Sequence, residues 1–125
     1  TAGGPERIRL REPHSDQIRR VSEAIRFISA NLDHVLSLGM LASYTRMSRF
    51  GFVRCFKRIT GSTPHAYIRA KRIFEAAVRL RTVRQPIAEV ALDVGFADLS
   101  TFNAAFRGMM GRTPSAYRSA LRLSD

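Results

Sequence analysis

Apolar residues recur at spacings of three and four along most of this chain, which is the spacing of one face of an α-helix. The first such stripe begins after Ser15, a residue that can cap a helix, and it predicts a helix of about four turns. Residues 1–14 lack this periodicity and contain two prolines, so they are predicted to form a linker or tail. The inward residues of the first helix are expected to be Ile18, Val21, Ile25, Ile28 and Leu32.

An internal repeat organises the remainder of the chain. Residues 52–67 and 102–117, aligned at an offset of 50, are identical at seven of sixteen positions. Just upstream the matching offset is 49, so the second copy contains one extra residue near Gly95. The repeat indicates that a helical unit has been duplicated.

Each copy predicts a short helix, a tight turn and a longer helix, followed by a Gly-Xaa-Thr-Pro sequence that ends one helix and begins the next. Ser37 and Ser48 are expected to cap the two helices of the first copy. In the second copy, Pro86 begins the short helix, and Asp98 or its neighbour caps the longer one. Gly95 supplies the turn of the second copy, where a positive φ costs glycine nothing.

These elements predict an all-α, homeodomain-like tandem of two helix-turn-helix subdomains with about seven helices. The subdomains span residues 15–62 and 85–122, and a linker helix covers residues 63–84. From the longer helix of each copy, the core is expected to contain Phe52, Cys55, Phe56, Ile59, Phe102, Ala105, Phe106 and Met109. The linker helix is expected to contribute Ile68, Ile73, Ala76, Ala77 and Leu80.

The charge of the chain points to a polyanionic partner. The 125 residues include 21 Lys and Arg against 10 Asp and Glu, a formal net charge of +11, and only Lys57 and Lys71 are lysines. Arginine is suited to phosphates and to guanine edges. The segments 34–74 and 99–124 contain no acidic residue, and each includes one of the two longer helices. Because an ordinary protein surface mixes charges of both signs, these helices are expected to approach phosphates.

The outward faces of the two longer helices carry the candidate contacts. In a helix-turn-helix the second helix enters the major groove of DNA, and its outward side chains reach the base edges. Arg54 is suited to guanine and Asn103 to adenine. Phe50 or Val53 is suited to a thymine methyl group. Phosphate contacts are expected from Arg49, Lys57, Arg58 and Arg107.

The second copy resembles the signature of the AraC/XylS-type transcription regulators, specifically their DNA-binding domain. The resemblance covers about residues 15–122, and the first copy is also similar. The matching residues are Ile87, Ala91, Gly95, Phe96, Phe102, Phe106, Gly111, Pro114 and Tyr117. Two positions depart from the family: Arg46 stands in the first turn where glycine is common, and Ala104 stands where relatives often have a long polar side chain.

The resemblance implies binding to double-stranded DNA, with both recognition helices in successive major-groove segments. It also implies RNA polymerase as the regulatory partner. Most members of the family carry a separate ligand-sensing or dimerisation domain ahead of this one, so the chain is expected to be a fragment of a larger effector-sensing regulator. Direct base readout by the second copy is expected to be weak because of Ala104. The implied base readers are Phe50, Val53, Arg54, Leu99, Ser100, Asn103 and Ala104.

Other function classes fit the sequence less well. The three histidines are scattered and no nucleophile or acid and base pair is visible, so no catalytic residue, metal or other cofactor is expected. The single Cys55 permits no internal disulfide, and no segment predicts a signal peptide or a membrane span, which leaves the cytoplasm as the default location. A non-specific basic module for DNA or RNA is the alternative function, although the deep, narrow major groove of RNA does not admit a helix.

Overall fold

The structure, a computed structural model, describes residues 15–124, with side chains described through Leu121. The linker or tail expected at residues 1–14 lies outside the described residues. Within the described range the fold is all-α, as predicted, and contains seven helices. They are α1 (Ser15–Ala30), α2 (Leu38–Tyr44), α3 (Arg49–Thr60), α4 (Pro64–Thr82), α5 (Ile87–Asp93), α6 (Leu99–Met110) and α7 (Pro114–Ser124).

The described chain divides into two compact units. The first contains residues 15–30 and Leu36–Ala66, and therefore α1, α2 and α3. The second contains Asn31–Val35 together with residues 67–124, and therefore most of α4 with α5, α6 and α7. Each unit thus holds one short helix followed by one longer helix, as the sequence repeat predicts.

In the first unit, α3 packs against both α1 and α2. The buried face of α1 is formed by Val21, Ala24 and Ile28, at helical spacings of three and four. Ile18 was expected on this face but is 44% exposed, because it lies in the first turn, beyond the packed part of the helix. Leu32 is half-buried and lies after the end of α1 at Ala30, so it does not extend the helical stripe.

Both helices of the first unit begin at the predicted serine caps. The hydroxyl of Ser37 accepts a hydrogen bond from the backbone N–H of Met40 at 3.1 Å. The hydroxyl of Ser48 accepts one from the backbone N–H of Gly51 at 3.0 Å. These bonds satisfy amide groups that have no partner inside a helix, which fixes where α2 and α3 begin.

The turn between α2 and α3 contains Arg46 at φ 59°, in the left-handed region that glycine usually occupies. Arg20 of α1 holds this turn, because its Nη1 donates to the carbonyls of Thr45 at 3.4 Å and Arg46 at 3.2 Å. Thr45 is buried, and its hydroxyl donates back to the carbonyls of Leu41 and Ala42 at 3.0 Å. The turn is therefore built without glycine and is held by side-chain hydrogen bonds.

The core of the second unit gathers around the phenylalanines of α6. The rings of Phe102 and Phe106 lie 5.7 Å apart between centroids, and the ring of Tyr117 meets Phe106 edge-on at 5.5 Å. All five residues predicted for the inner face of α4 are buried. The buried residues of this core are Ile73, Ala76, Ala77, Leu80, Val90, Ala91, Val94, Phe96, Phe102 and Phe106.

The prediction for the end of α6 was wrong by one residue. Met109 was expected in the core but is 42% exposed, whereas Met110 packs against the core. Helical spacing from Phe102 admits either methionine on the inner face, and the packing at the end of α6 covers Met110 rather than Met109. In α3, Phe52, Cys55 and Phe56 are buried as predicted, while Ile59 is half-buried.

Arg118 of α7 holds the carboxyl end of α4. Its guanidinium donates to the carbonyls of Leu80 at 3.4 Å, Val83 at 3.3 Å and Gln85 at 2.6 Å. These acceptors include carbonyls in and just beyond the last turn of the helix, which lack partners of their own. This arrangement accompanies the end of α4 at Thr82, two residues before the expected end at Arg84.

The turn between α5 and α6 contains Gly95 at φ 104°. A Cβ atom at this position would lie 2.1 Å from the carbonyl oxygen of Leu32 and 2.6 Å from Nε of Arg72. Arg72 itself donates to the carbonyls of Leu32 at 3.0 Å and His34 at 2.7 Å. Glycine is therefore required here by both its φ and the space.

The extra residue of the second copy is Ala97. The backbone hydrogen bonds from Met47 to Ala42 and from Phe96 to Ala91, both 2.9 Å, are related by the offset of 49. The capping residues that follow, Ser48 and Asp98, are related by the offset of 50. The insertion thus lies between the turn and the cap, two residues after Gly95, which confirms its predicted neighbourhood.

Asp98 caps α6 with a carboxylate. One oxygen accepts from the backbone N–H of Thr101 at 2.7 Å, and the other accepts from the Thr101 hydroxyl at 3.1 Å. These hydrogen bonds, the backbone one foremost, hold the pKa of Asp98 below its ordinary value. Its counterpart Ser48 is uncharged, so only the second of these two caps titrates.

We predict that Arg46→Gly stabilises the first unit by about 0.5 to 1 kcal/mol. A side chain in the left-handed region costs about 1 to 2 kcal/mol, and the greater freedom of glycine in the unfolded chain offsets part of the gain. Denaturant unfolding measures the change. Arg46→Ala is the control, because it removes the same exposed side chain but keeps a Cβ at positive φ. Equal stabilisation by both variants would contradict the assignment to backbone strain.

We predict that Gly95→Ala destabilises the second unit by about 3 kcal/mol or more, because it combines a strained φ with overlap against a backbone oxygen. Denaturant unfolding measures this change. Gly108→Ala is the control, since Gly108 lies within α6 and a Cβ there meets nothing within 4 Å. A loss for Gly95→Ala no larger than the effect of the control variant would refute the close approach to Leu32.

We predict that the cap at Asp98 becomes less effective in acid. Because its folded pKa is below the unfolded value of about 4, its stabilising contribution is present above that value and is lost as the pH falls through the folded pKa. Asp98→Asn keeps a capping oxygen that does not titrate. The difference in unfolding free energy between the native chain and this variant should narrow below about pH 4. The difference in unfolding free energy between the native chain and Ser48→Asn should not change with pH. If both differences narrowed in acid, the effect would come from groups other than Asp98.

Candidate nucleic-acid interface

The outward face of α3 is basic and partly aromatic. The ring of Phe50 is 72% exposed, and Arg54, Lys57 and Arg58 are exposed as well. Val53 is half-buried, so less of its side chain reaches the surface than expected. Since Phe52, Cys55 and Phe56 are buried on the opposite face, the core fixes which side chains of α3 point outward.

Arg49 differs from the other cations of α3 in its surroundings. Its guanidinium lies against α2, with Nη2 2.8 Å from the position that a Cβ of Gly39 would occupy. Glycine at position 39 therefore leaves the space that this guanidinium fills. Arg49 is exposed and stands at the first residue of α3, beside the turn.

Phe50 and Arg54 form a cation–π pair on the outward face of α3. They are one helical turn apart, and the guanidinium carbon of Arg54 lies over the Phe50 ring at 5.4 Å from its centroid. Arginine stacks well on aromatic rings because its guanidinium is planar and weakly hydrated. The pair gives a defined arrangement to two residues that the sequence predicts as base readers.

The outward face of α6 is smaller and less basic. All five residues predicted for contacts from this helix are exposed. Leu99 is the only large apolar residue among them. Arg107 in the last turn is the single cation of α6, and Asp98 stands at its amino end. These five residues are Leu99, Ser100, Asn103, Ala104 and Arg107.

None of the cations of α3 and α6 takes part in an ion pair within the described residues. The ion pairs there lie on α1, along α4 to α5, and between His34 and Asp33. For example, Arg79 pairs with Glu75 at 3.3 Å and with Asp93 at 3.6 Å. The positive charge on the outward faces of α3 and α6 is thus not neutralised by neighbouring carboxylates.

Two arginines of the acid-free segments do not belong to the surface charge. Arg72 donates to the carbonyls of Leu32 and His34, and partial burial lowers its pKa. Arg118 donates to three carbonyls at the end of α4. Counting cations along the sequence therefore overstates the charge available to a ligand. No periodicity separates these two arginines from the exposed ones.

Exposed cations outside the predicted set are present near both longer helices. Arg46 is exposed in the turn before α3, and Arg112 is exposed directly after the end of α6. Arg69 is exposed on α4. All three lie in the acid-free segments, so that feature of the sequence could have identified them as candidates.

The described part of the chain offers neither a metal-binding cluster nor a membrane-spanning helix. Residues 15–121 contain no group of three or more His, Cys, Asp or Glu side chains arranged to hold a metal ion. No helix among α1 to α7 is long and apolar enough to cross a membrane. Cys55 is a free, buried thiol.

Comparisons with known proteins agree with this geometry. The family described as "Helix-turn-helix domain" matches residues 41–120. The regulatory protein SoxS of Escherichia coli is 36% identical over 101 residues, which cover 81% of this chain and 94% of SoxS. Because the match accounts for nearly all of SoxS, this relative gives no support to the expected fragment of a larger effector-sensing regulator.

Two solved structures show the same fold. The DNA-binding domain of AdpA, described as a global transcriptional factor in complex with a target DNA, has a TM-score of 0.81 and 31% identity, covering 83% of this chain and 94% of that one. A probable AraC family transcriptional regulator from Rhodopseudomonas palustris has a TM-score of 0.73 and 28% identity. The match covers 86% of this chain and 98% of that one. This chain belongs to the AraC/XylS-type family of helix-turn-helix transcription regulators, not to a family of enzymes.

Proposed function

We propose that this chain regulates transcription by sequence-specific binding to double-stranded DNA, with α3 and α6 as recognition helices in the major groove. The outward face of α3 is the observation that carries this proposal. It presents exposed cations and an exposed aromatic ring without a neighbouring acidic residue, while its inner face is fixed by the core. The DNA complex of the related AdpA domain supports the same activity for this chain.

The first recognition helix carries most of the direct readout. Arg54 contacts guanine through its planar fork, and Phe50 and Val53 contact thymine methyl groups. Phosphates are held at both ends of α3, by Arg49 at its beginning and by Lys57 and Arg58 in its last turn. These cations carry no internal ion pair in the described residues, so they can neutralise phosphates without first breaking one.

The second recognition helix reads fewer bases. Asn103 contacts adenine, and Leu99, Ser100 and Ala104 line the groove with small or apolar contacts. The carboxylate of Asp98 repels phosphate at the amino end of α6, so the phosphate contact of this helix falls to Arg107 in the last turn. Part of the preference at this half of the site comes from DNA shape and deformability.

The remaining elements of the proposal concern partners and context. The two recognition helices occupy successive major-groove segments, which gives a DNA site of about two helical turns. RNA polymerase is the partner through which binding alters transcription, and the cytoplasm is the location of the complex. Family membership is what supports these assignments.

We predict that Arg54→Ala and Arg107→Ala weaken binding in different ways. For a duplex selected from randomised sequences, Arg54→Ala weakens the binding free energy by about 1 to 3 kcal/mol, because a bidentate guanine contact is lost. It also relaxes the base preference at one base pair. Arg107→Ala weakens all sequences about equally and lowers the slope of log K against log salt by about 1. Titrations of the selected duplex and its single-base variants, at several salt concentrations, measure both effects.

Arg26→Ala is the matched control for these titrations. Arg26 is exposed on α1, outside both recognition helices, and its removal changes the net charge equally. It should cause only a small, sequence-independent loss. If Arg54→Ala and Arg107→Ala lowered the affinity for every duplex sequence by the same amount, Arg54 would be a phosphate contact and not a base reader. If the selected duplex bound no more tightly than random DNA, the chain would instead be a non-specific basic module for DNA or RNA.

A further inference from the structure

The cation–π pair of Phe50 and Arg54 lies on the outward face of α3, next to the exposed cations of that helix. Phe50 does not belong to the core, because the aromatic residues of α3 that pack inward are Phe52 and Phe56. Its ring is 72% exposed and stands under the guanidinium carbon of Arg54 at 5.4 Å. The ring and the cation are therefore both accessible to a ligand, and they lie close enough to contact it together.

Contact with the Phe50 ring restricts where the guanidinium of Arg54 can lie. An arginine side chain loses rotamer freedom when it binds, and a contact that orders it beforehand reduces this loss. When arginine makes two hydrogen bonds to O6 and N7 of guanine, its planar fork lies close to the plane of that base pair. Guanidinium groups tend to stack on aromatic faces, and a Phe50 ring stacked on the fork in this way lies out of the plane of the base pair, toward the adjacent pair.

The adjacent base pair lies one rise away, about 3.4 Å along the strand. A phenyl ring offers no hydrogen bond, so the only favourable partner for it on a major-groove edge is an apolar one. In DNA that partner is the C5-methyl group of thymine. A cytosine with a methyl group at C5 presents the same apolar group at the same place.

We propose that Phe50 and Arg54 act as a single reader of a two-base-pair step: a guanine and, in the adjacent pair, a pyrimidine with a C5-methyl group. This inference rests on the proposed function and deepens it, since it names the feature of DNA that α3 recognises. It also makes binding responsive to cytosine methylation, because 5-methylcytosine replaces thymine as the apolar partner. Unmethylated cytosine cannot replace thymine in this way, because it lacks the methyl group.

The second recognition helix provides an internal comparison. The offset of 50 that relates α3 to α6 places Ser100 and Ala104 at the positions of Phe50 and Arg54. Neither residue has a ring or a charged fork, so α6 cannot form this reader. Methyl recognition of this kind should therefore be confined to the bases under α3.

The experiment uses the whole chain and a high-affinity duplex obtained by selection from randomised DNA. Each thymine of that duplex is replaced in turn by uracil, which removes only the C5-methyl group. At one thymine next to a guanine, affinity should fall about three- to tenfold, the range expected for one buried methyl group. A duplex with a cytosine–guanine pair at that position should also bind the chain weakly. Replacing that cytosine with 5-methylcytosine should raise the affinity again, because the methyl group is restored.

Variants of the chain assign the methyl response to the pair. Phe50→Ala should bind thymine and uracil duplexes equally, since the ring that contacts the methyl group is gone. Arg54→Lys keeps the charge but lacks the planar fork, and it should reduce both the guanine preference and the methyl response. Arg26→Ala changes an exposed residue of α1, outside both recognition helices, and as the control it should leave the response intact. Because all three side chains are exposed, folding should be unaffected, and circular dichroism checks this.

Three results would overturn the inference, and they are distinguishable from one another. A selected duplex that binds equally well with uracil at every thymine would retain the proposed function but refute the methyl reader. A full methyl response in Phe50→Ala would assign the methyl group to another side chain. Failure of selection to yield any preferred sequence would refute the proposed function itself, and the reader with it.

Discussion

The turn between the two helices of each unit requires one residue with a positive φ, and the outward face of the following helix depends on that turn. Arg46 meets this requirement in the first unit and Gly95 in the second. In both units an arginine from the preceding long helix lies against the turn: Arg20 donates to its carbonyls, and Arg72 lies beside Gly95. The second turn admits only glycine because a backbone oxygen occupies the space of a Cβ atom, whereas the first tolerates a side chain at a cost of strain.

The arginines of this chain perform two separate tasks, and structure distinguishes them where composition cannot. Arg20, Arg72 and Arg118 donate to backbone carbonyls in turns and at a helix end, where unpaired acceptors would otherwise weaken the fold. The exposed cations of α3 instead lack carboxylate partners in the described residues, an arrangement that destabilises a protein slightly through repulsion. Such a surface is suited to an anionic ligand, whereas it adds nothing to the stability of the fold.

Much of the fold could be predicted from sequence because its determinants are local. The helix boundaries were set by the caps at Ser37, Ser48 and Asp98 and by the glycine at position 111. Because the unit is repeated, each element could be predicted independently from both copies. What escaped prediction depends on packing: the exposure of Met109, the half-buried state of Val53, and the internal use of two arginines. Helical spacing places these side chains on a face but does not say what the neighbouring elements cover. The sequence predicted which faces of α3 and α6 point outward, but only the structure shows that Arg54 lies over the ring of Phe50.

The repeat separates the residues that specify the fold from those that specify the ligand. Most positions shared by the two copies are buried or half-buried or lie in turns, as with the phenylalanines of α3 and α6; the exposed Ala66 and Ala116, in the first turns of α4 and α7, are the exception. The outward positions differ, with Phe50 and Arg54 in one helix and Ser100 and Ala104 in the other. Because substitutions at such exposed positions usually change stability by no more than about 0.5 kcal/mol, the base preference of each helix can change without loss of the fold. Two copies of one scaffold can therefore acquire unequal roles, one as the principal reader and the other as an anchor.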